Sequence, residues 1–306
     1  DDAADQRPLP AGAMMATMTS PEPAAYELLD AGDGRRLERF GSHLLDRPAP
    51  ATEGVPRRDA AAWASAVVRF DREAGGRGRW RTTGRSIEPW TVALAEGTRL
   101  ELRLTESGQV GLFPEHAALA AWVRGRVESA GGGPAVLNLF ASTGILTLAA
   151  SATGATVTHV DASRATVAWA RRNAELSGMA DRPIRWIVDD AEEFAHRELR
   201  RGRTYQGVIL DPPSYGHGPG GRAWRLEERL PDLLGACAAL TSASRAFVLL
   251  TTHTPGFGPD RLRERLEGSL GEPCEAGPLE LVARSGARLP LGAFARWPAL
   301  DPEGDR

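Results

Sequence analysis

Apolar residues follow two rhythms along this chain, and the change of rhythm divides it. Between Tyr26 and Phe113 the clearest period is two. Leu100, Leu102 and Leu104 share one face of Arg99–Thr105, Thr91–Ala95 alternates beside it, and Val110–Phe113 predicts a further strand. Tyr26–Asp30 and Arg35–Phe40 flank an Ala-Gly-Asp-Gly segment, a hairpin signal because Asp-Gly tolerates positive φ. Pro48, Pro50 and Pro56 then mark a loop. From Pro114, which opens a helix through Val127, strand-length and helix-length runs alternate. The strands are expected at Ala135–Phe140, Thr156–Asp161, Ile184–Val188, Gly207–Leu210 and Phe247–Leu250. The helices are expected from Ile145, over Ser163–Leu176, Ala191–Arg201 and Trp224–Leu240, and at Pro259–Leu270. Ser163 is an N-cap, Gly178 follows its helix, and Pro231 predicts a break or kink. Leu279–Ala283 and Leu289–Trp297 predict a closing antiparallel hairpin. The pattern describes an α/β fold, a seven-stranded and mostly parallel sheet with helices on both faces, behind a small β-rich domain. The expected division is a disordered tail over 1–25, the β-rich domain over 26–113 and the α/β domain over 114–306.

The stretch Ala135–Ser151 carries the first chemical signal. An apolar strand breaks into the polar turn Ser142-Thr143-Gly144 and resumes as an apolar helix from Ile145. Such a turn places backbone N–H groups and a helix N-terminus at the carboxyl edge of a sheet, where open α/β sheets bind nucleotide-like ligands. Three acids, Asp161, Asp190 (beside Asp189) and Asp211, then close successive strands. Asp161 lies 17 residues past Gly144, the place of a ribose-binding acid. The alternative is that these acids cap the following helices. Asp211 argues for ligand binding, because it opens onto Pro212-Pro213, which no helix interior accepts. The turn has one glycine rather than the G-x-G-x-x-G of a dinucleotide site, and a chain without lysine cannot form a P-loop. A nucleoside cofactor without pyrophosphate is expected, and S-adenosylmethionine (SAM) fits.

Composition narrows this picture little. The chain has 306 residues and a net charge of −3, so any nucleic-acid contact needs a local patch. One candidate is Arg57–Arg85, where eight arginines face three acids with Trp63, Trp80 and nearby Trp90 interleaved. That composition suits an RNA surface, through phosphate pairing and base stacking. It suits equally an arginine-rich solvated loop with its tryptophans in the small domain's core. Two cysteines, Cys237 and Cys274, are too few for a disulfide framework or a zinc site. With no apolar run of spanning length and no signal-peptide pattern, the expected location is the cytoplasm, with no membrane partner.

Several motifs occur in order with matching spacing: Asn138-Leu139-Phe140 through Thr143-Gly144, Val160-Asp161-Ala162-Ser163, Arg172-Asn173-Ala174, Asp189-Asp190-Ala191 and Leu210-Asp211-Pro212-Pro213-Ser214. Together they resemble the class I SAM-dependent methyltransferases, specifically the large-subunit rRNA cytosine-C5 methyltransferase family and its relatives. The resemblance covers roughly Val110 to Trp297 and implies a Rossmann-like methyltransferase domain. It implies that Asn138, Phe140, Ser142, Thr143 and Gly144 surround the methionine part of SAM. Phe113 and His116, in a segment similar to one the family places before its first Rossmann strand, help hold that end. By the same resemblance Asp161, with Ala162 and Ser163, serves the ribose, and Asp190, with Ala191, the adenine amine. Asp211, Pro212 and Pro213 would line the opening where the methyl group leaves. Tyr215 is placed to stack on a planar acceptor, and the proline carbonyls to face it.

The departures from that family bear on the acceptor. Cytosine C5 becomes nucleophilic only after covalent attack at C6, usually by a cysteine thiolate. The position after the fifth strand reads Leu250-Thr251-Thr252-His253-Thr254-Pro255, without cysteine. His116, His217 and His253 map instead to the mouth, where a histidine can act as general base. No helical or short-range ligand spacing supports a metal site, and none is assigned. The resulting expectation is a SAM-dependent methyltransferase acting on RNA, specifically rRNA, at a base position that needs no cysteine nucleophile. One alternative is N- or O-methylation of a small molecule. Another is a non-catalytic SAM- and RNA-binding module.

Overall fold

The computed structural model describes residues 24–73, 77–84, 86–217 and 223–299. The expected tail therefore lies outside the described residues up to position 23, and so does Arg85. The chain opens with β1 (Tyr26–Gly32), β2 (Arg35–Phe40), β3 (His43–Pro48), α1 (Ala60–Ala64), β4 (Val68–Arg72) and β5 (Gly78–Thr82). These five strands form one sheet in the order β1-β2-β3-β4-β5. The β1–β2 turn forms where Asp-Gly was expected to allow it, with φ of 51° at Asp33 and 70° at Gly34. A hairpin of β6 (Trp90–Ala93) and β7 (Arg99–Leu102) follows.

The main sheet is built from β8 (Ala135–Leu139), β9 (Thr156–Asp161), β10 (Ile184–Val188), β11 (Gly207–Leu210), β14 (Phe247–Thr252), β15 (Glu275–Val282) and β16 (Arg288–Trp297). The order is β10-β9-β8-β11-β14-β16-β15, parallel from β10 to β14 and antiparallel at β16. The helices are α2 (Pro114–Ala130), α3 (Ile145–Ala152), α4 (Arg164–Leu176), α5 (Ala191–Arg200), α6 (Leu226–Thr241) and α7 (Pro259–Leu270). A short antiparallel pair, β12 (Tyr215–His217) and β13 (Ala223–Arg225), lies between β11 and α6.

The strand runs are apolar at consecutive positions because both faces are covered. Val136, Ile209, Phe247 and Leu249 pack with residues of α2 and α3. Leu137, Leu139, Val208, Leu210, Val248 and Leu250 pack with residues of α5, α6 and α7. The first core also takes in Phe40, Leu45 and Val68 of the N-terminal sheet and Val92, Leu100 and Leu102 of the hairpin, so apolar packing runs on between the two parts. Asp30 adds a polar tie. Its carboxylate accepts from Ser285 Oγ at 2.6 Å, Trp63 Nε1 and Arg58 N at 2.8 Å, Ala31 N at 3.0 Å and Asp59 N at 3.1 Å.

Three expectations change. Val110–Phe113 is not a strand; Val110 O accepts from Arg103 N at 3.1 Å, and Phe113 then caps α2. Helix α6 runs unbroken through Pro231. The carbonyl that loses its N–H partner, that of Glu227, is on an exposed residue near the helix start, open to solvent. The arginine-rich segment contains α1, β4 and β5 rather than one loop. Several of its charges are paired locally, with Arg79 on Glu73 at 3.0 Å and Arg81 on Asp71 at 2.9 Å. Trp63 is buried, and the half-buried Trp80 and Trp90 donate to the carbonyls of Thr105 and Phe40. The tryptophans are thus part of the small sheet's packing.

Candidate active site

The carboxyl ends of β8, β9, β10 and β11 converge on the turn after β8. That turn is tighter than its single glycine suggests, with left-handed φ at Phe140 (55°), Ser142 (49°) and Gly144 (90°). Two of these are non-glycine residues, a costly conformation that surrounding bonds must hold. Asp161 supplies one bond: its Oδ2 accepts from Ser142 N at 3.0 Å and its Oδ1 from Ser163 N at 2.9 Å. Burial pushes this carboxyl's pKa up, and the two N–H donors oppose that shift. A carboxylate offers about four lone-pair sites, so two remain for a ligand's hydroxyls. Thr143 supplies another bond, its hydroxyl donating to Gly111 O at 2.6 Å, while Asn173 Nδ2 donates to Thr143 O at 2.9 Å. At Gly144 an added Cβ would stand 3.2 Å from Ala170 Cβ, so the positive φ coincides with close approach of α4.

Asn138, in β8, is buried and bonded to helix α3. Its Nδ2 donates to Thr147 Oγ1 at 2.9 Å, and Thr147 Oγ1 lies 2.9 Å from His159 Nδ1. Burial holds His159 neutral, its pKa lowered to about 3.

A cavity against this turn is lined by Phe113, His116, Asn138, Phe140, Ser142, Thr143, Gly144 and Asp211. Along the sheet edge, Val188 pairs in register with Asp161 and is 41% exposed, an uncovered apolar side chain beside the acids. Asp190 is an N-cap, its Oδ1 accepting from Glu192 N and Glu193 N at 3.0 Å. Ser163 likewise caps α4 through Thr166 N, Ala162 is exposed beside it, and Ala191 is buried in the first turn of α5. The capping alternative thus describes one oxygen of Asp190, and Oδ2 takes part in neither bond.

On the other side of Asp211 opens a cleft of about 870 Å³ between the N-terminal sheet and the ends of β11, β14 and β16. Its walls include Arg36, Arg47, Arg72, Glu115, Pro212, Pro213, Tyr215 and His253. Asp211 therefore borders both spaces. Thr251 Oγ1 donates to Asp211 Oδ1 at 2.6 Å. Pro212 is buried, Pro213 is exposed and Tyr215 is 55% exposed. The Pro213 carbonyl does not face the cleft freely, because Trp224 Nε1 donates to it at 2.7 Å and the Trp224 ring packs 5.2 Å from Phe140. The backbone of His217 ends β12, but its side chain lies outside the described residues.

His116 and His253 do converge, with ring centroids 5.7 Å apart. His116 Nε2 lies 3.6 Å from Asp211 Oδ2, and His253 Nε2 lies 3.7 Å from both Asp211 Oδ1 and Glu115 Oε1. Glu115, Val188, Trp224 and Thr251 did not stand out in the sequence. Glu115 sits in the segment singled out for Phe113 and His116, and only its burial marks it. Neither thiol is near this mouth: Cys237 is in the α6 core and Cys274 is buried after α7, bonding Glu272 O.

A family model described as S-adenosylmethionine-dependent methyltransferase matches residues 55–276 of this chain. The chain belongs to that family. SAM is accordingly its cofactor. The crystal structure of the SAM-dependent methyltransferase from Agrobacterium tumefaciens is 34% identical, with a TM-score of 0.84 over 91% of each chain. The ribosomal RNA large subunit methyltransferase K/L of Magnetococcus marinus is 34% identical over 63% of this chain and 24% of its own length. The ribosomal RNA large subunit methyltransferase K of Neisseria meningitidis is 26% identical over 60% of this chain and 53% of its own. This methyltransferase thus matches between about a quarter and half of those two curated relatives. No helix among the described residues is long and apolar enough to cross a membrane.

Proposed function

We propose that this methyltransferase transfers the methyl group of SAM to RNA, specifically ribosomal RNA, at a base position that needs no cysteine nucleophile. The observation that carries the reading is Asp211, which borders both the cavity on the cofactor turn and the cleft under the N-terminal sheet. Residues 26–113 are then the acceptor-facing part, and 114–306 the part that binds the cofactor. The N-terminal sheet brings Arg36 and Arg72 to the cleft, cations that suit a phosphate next to a target base. The names of the rRNA-modifying relatives support the same substrate class.

Bound SAM supplies an electrophilic methyl on a sulfonium, and the chain's own residues position the two reactants. The turn Phe140–Gly144, with Phe113 and His116, holds the methionine end. Asp161 takes the ribose hydroxyls on its remaining lone pairs, Val188 gives adenine an apolar seat, and Asp190 Oδ2 takes its amine. Asp211 accepts a hydrogen bond from the acceptor's N–H or O–H at the partition, and Tyr215 stacks on its plane. Pro212 and Pro213 stiffen the wall between. Methyl transfer is an in-line displacement, so holding acceptor and methyl in line supplies much of the rate.

Incubating the protein with tritiated SAM and total RNA from a strain lacking it should label rRNA, and nucleoside analysis should place the label on one base. Label appearing only in small molecules would overturn the RNA assignment in favour of a small-molecule N- or O-methyltransferase. Tight SAM binding with no label in either fraction would leave a non-catalytic binding module. Asp161→Ala should weaken S-adenosylhomocysteine binding by tenfold or more, and unchanged binding would remove the ribose assignment.

A further inference from the structure

Three separate segments deliver four ligand-type side chains to the partition between the two cavities. Glu115 and His116 open α2, Asp211 follows β11, and His253 follows β14. The ligand atoms of His116, Asp211 and His253 all lie within 4.8 Å of one another. Glu115 Oε1 lies beside the group, 3.7 Å from His253 Nε2.

Outer contacts orient this group. His253 Nδ1 lies 2.9 Å from the carbonyl of Leu291, which can only accept, so Nδ1 carries the proton and the neutral ring turns its Nε2 lone pair inward. The Thr251 hydroxyl fixes Asp211 Oδ1 from behind. His116 is 5% exposed, and its Nε2 is buried without a hydrogen-bond partner. Its nearest charged neighbour across the gap is Asp211 Oδ2 at 3.6 Å. Two carboxylates thus face two imidazole nitrogens at 3.6–3.7 Å, beyond hydrogen-bond length. Metal–ligand distances of ~2.0–2.2 Å put adjacent ligands of a four-coordinate site roughly 3.3–3.6 Å apart. The spacing here is that of ligands around a cation rather than of hydrogen-bonded partners.

We propose that His116, Asp211 and His253, with Glu115 alongside, form a binding site for a first-row divalent cation of the zinc class. Two imidazoles with carboxylates suit such ions better than magnesium or calcium, which prefer all-oxygen sites. The two carboxylates balance the ion's charge, which limits its repulsion of a neighbouring sulfonium. Resting on the cleft being the acceptor side, the ion's open position receives the acceptor's heteroatom and lowers the pKa of its attached hydrogen. Cation binding itself requires neither SAM nor RNA, so it is tested apart from that reading.

Protein stripped with a chelator and titrated calorimetrically with zinc should take up one equivalent tightly. Affinity should fall at least a hundredfold in His116→Ala and in His253→Ala. His196→Ala, in the Glu192–His196–Asp232 group where Arg229 already pairs with Glu192, should leave it unchanged. Cobalt bound to the wild-type protein should give the visible absorption of a four- or five-coordinate nitrogen and oxygen site, a signature that does not depend on a variant folding. Absence of a tight equivalent in the wild type, affinity unaltered in both histidine variants, or the spectrum of the fully hydrated ion would each overturn the proposal. S-adenosylhomocysteine binding of the wild type and of His253→Ala, measured in parallel, reports the cofactor site.

Discussion

The Thr143 hydroxyl and the Gly111 carbonyl, 32 residues apart, meet at 2.6 Å and fasten the cofactor turn to the segment that leads into α2. Gly111 can make this approach because its φ is 97° and it has no side chain; an added Cβ would stand 2.2 Å from Trp169. Trp169 in turn donates to Glu101 O at 2.8 Å, and Asn173 joins Glu101 N to Thr143 O. The turn, α4, β7 and the start of α2 are therefore one hydrogen-bonded unit. It sets where Phe113 and His116 stand relative to the turn.

Thr143→Val removes the hydroxyl while keeping the shape, leaving Gly111 O without its donor. A hydrogen bond of this kind contributes about 0.5–1.5 kcal/mol, part of which now holds a left-handed turn in place. S-adenosylhomocysteine affinity should fall roughly three- to tenfold, as 1.4 kcal/mol is tenfold, and Thr143→Ser should restore it. Calorimetry showing equal affinity in Val and wild type would mean that the bond does not position the site.

Gly111→Ala should cost more, about 2–4 kcal/mol, because Trp169 must be displaced and alanine resists the positive φ. Urea unfolding reads this directly. A loss under 1 kcal/mol would show that α4 yields easily, and with it the anchoring of the turn.

These two residues also show what the sequence could and could not tell. The strands and helices after Pro114 were legible because apolar runs buried on both faces differ sharply from the polar turns between them. Asp161 and Asp211 were legible because acids at strand ends follow from the topology. The left-handed conformations of Phe140 and Ser142 were not, since no residue type announces them; contacts from Asp161 and α4 impose them. The meeting of His116 with His253 was visible only as a shared sheet edge, because their spacing of 137 residues has no local periodicity. The arginine-rich segment was open to two readings for the opposite reason. Its composition is that of an RNA surface, and only strand register reveals that Arg81 and Arg69 flank Asp71.

Asp30 tests the tie between the N-terminal sheet and the β15–β16 hairpin. Burial raises its pKa, but donors from Ser285, Trp63, Arg58 and Asp59 outweigh burial and hold it at about 2. A carboxyl depressed from 3.8 contributes stability that is complete above 3.8 and is lost as pH falls through about 2. Asp30→Asn should therefore lower stability at pH 7 by about 2–3 kcal/mol, at 1.36 kcal/mol per pKa unit. The deficit should shrink as pH falls below 3.8. A deficit that stays constant with pH would assign the loss to packing instead of charge.

His159 acts in a different window. Its folded pKa of about 3 lies below the ordinary 6.5, so the unfolded chain binds the extra proton between these values. Its contribution is complete above 6.5 and declines as pH drops toward 3, where the folded form itself protonates. His159→Gln keeps a polar group for Thr147 without the titration. The difference in urea midpoint between wild type and variant should move in the variant's favour from pH 7 to pH 5. Parallel profiles would show that His159 does not meet a buried, neutral environment.

The last expectation concerns the thiols. A cysteine adduct mechanism needs a thiolate at the mouth. Burial pushes the thiol pKa of Cys237 up to about 12. Burial and then the charge of Glu267 do the same to Cys274. Both face packed interiors, and the residues beside Asp211 are Thr251 and His253. The Cys237→Ala, Cys274→Ala double variant should keep at least half of the wild-type methyl-transfer rate to RNA, while losing about 1–2 kcal/mol of stability from the emptied sulfur volume at Cys237. Loss of transfer beyond a hundredfold, with S-adenosylhomocysteine binding intact, would bring a thiol back into the reaction and remove the cysteine-independent chemistry proposed for Asp211 and its neighbours.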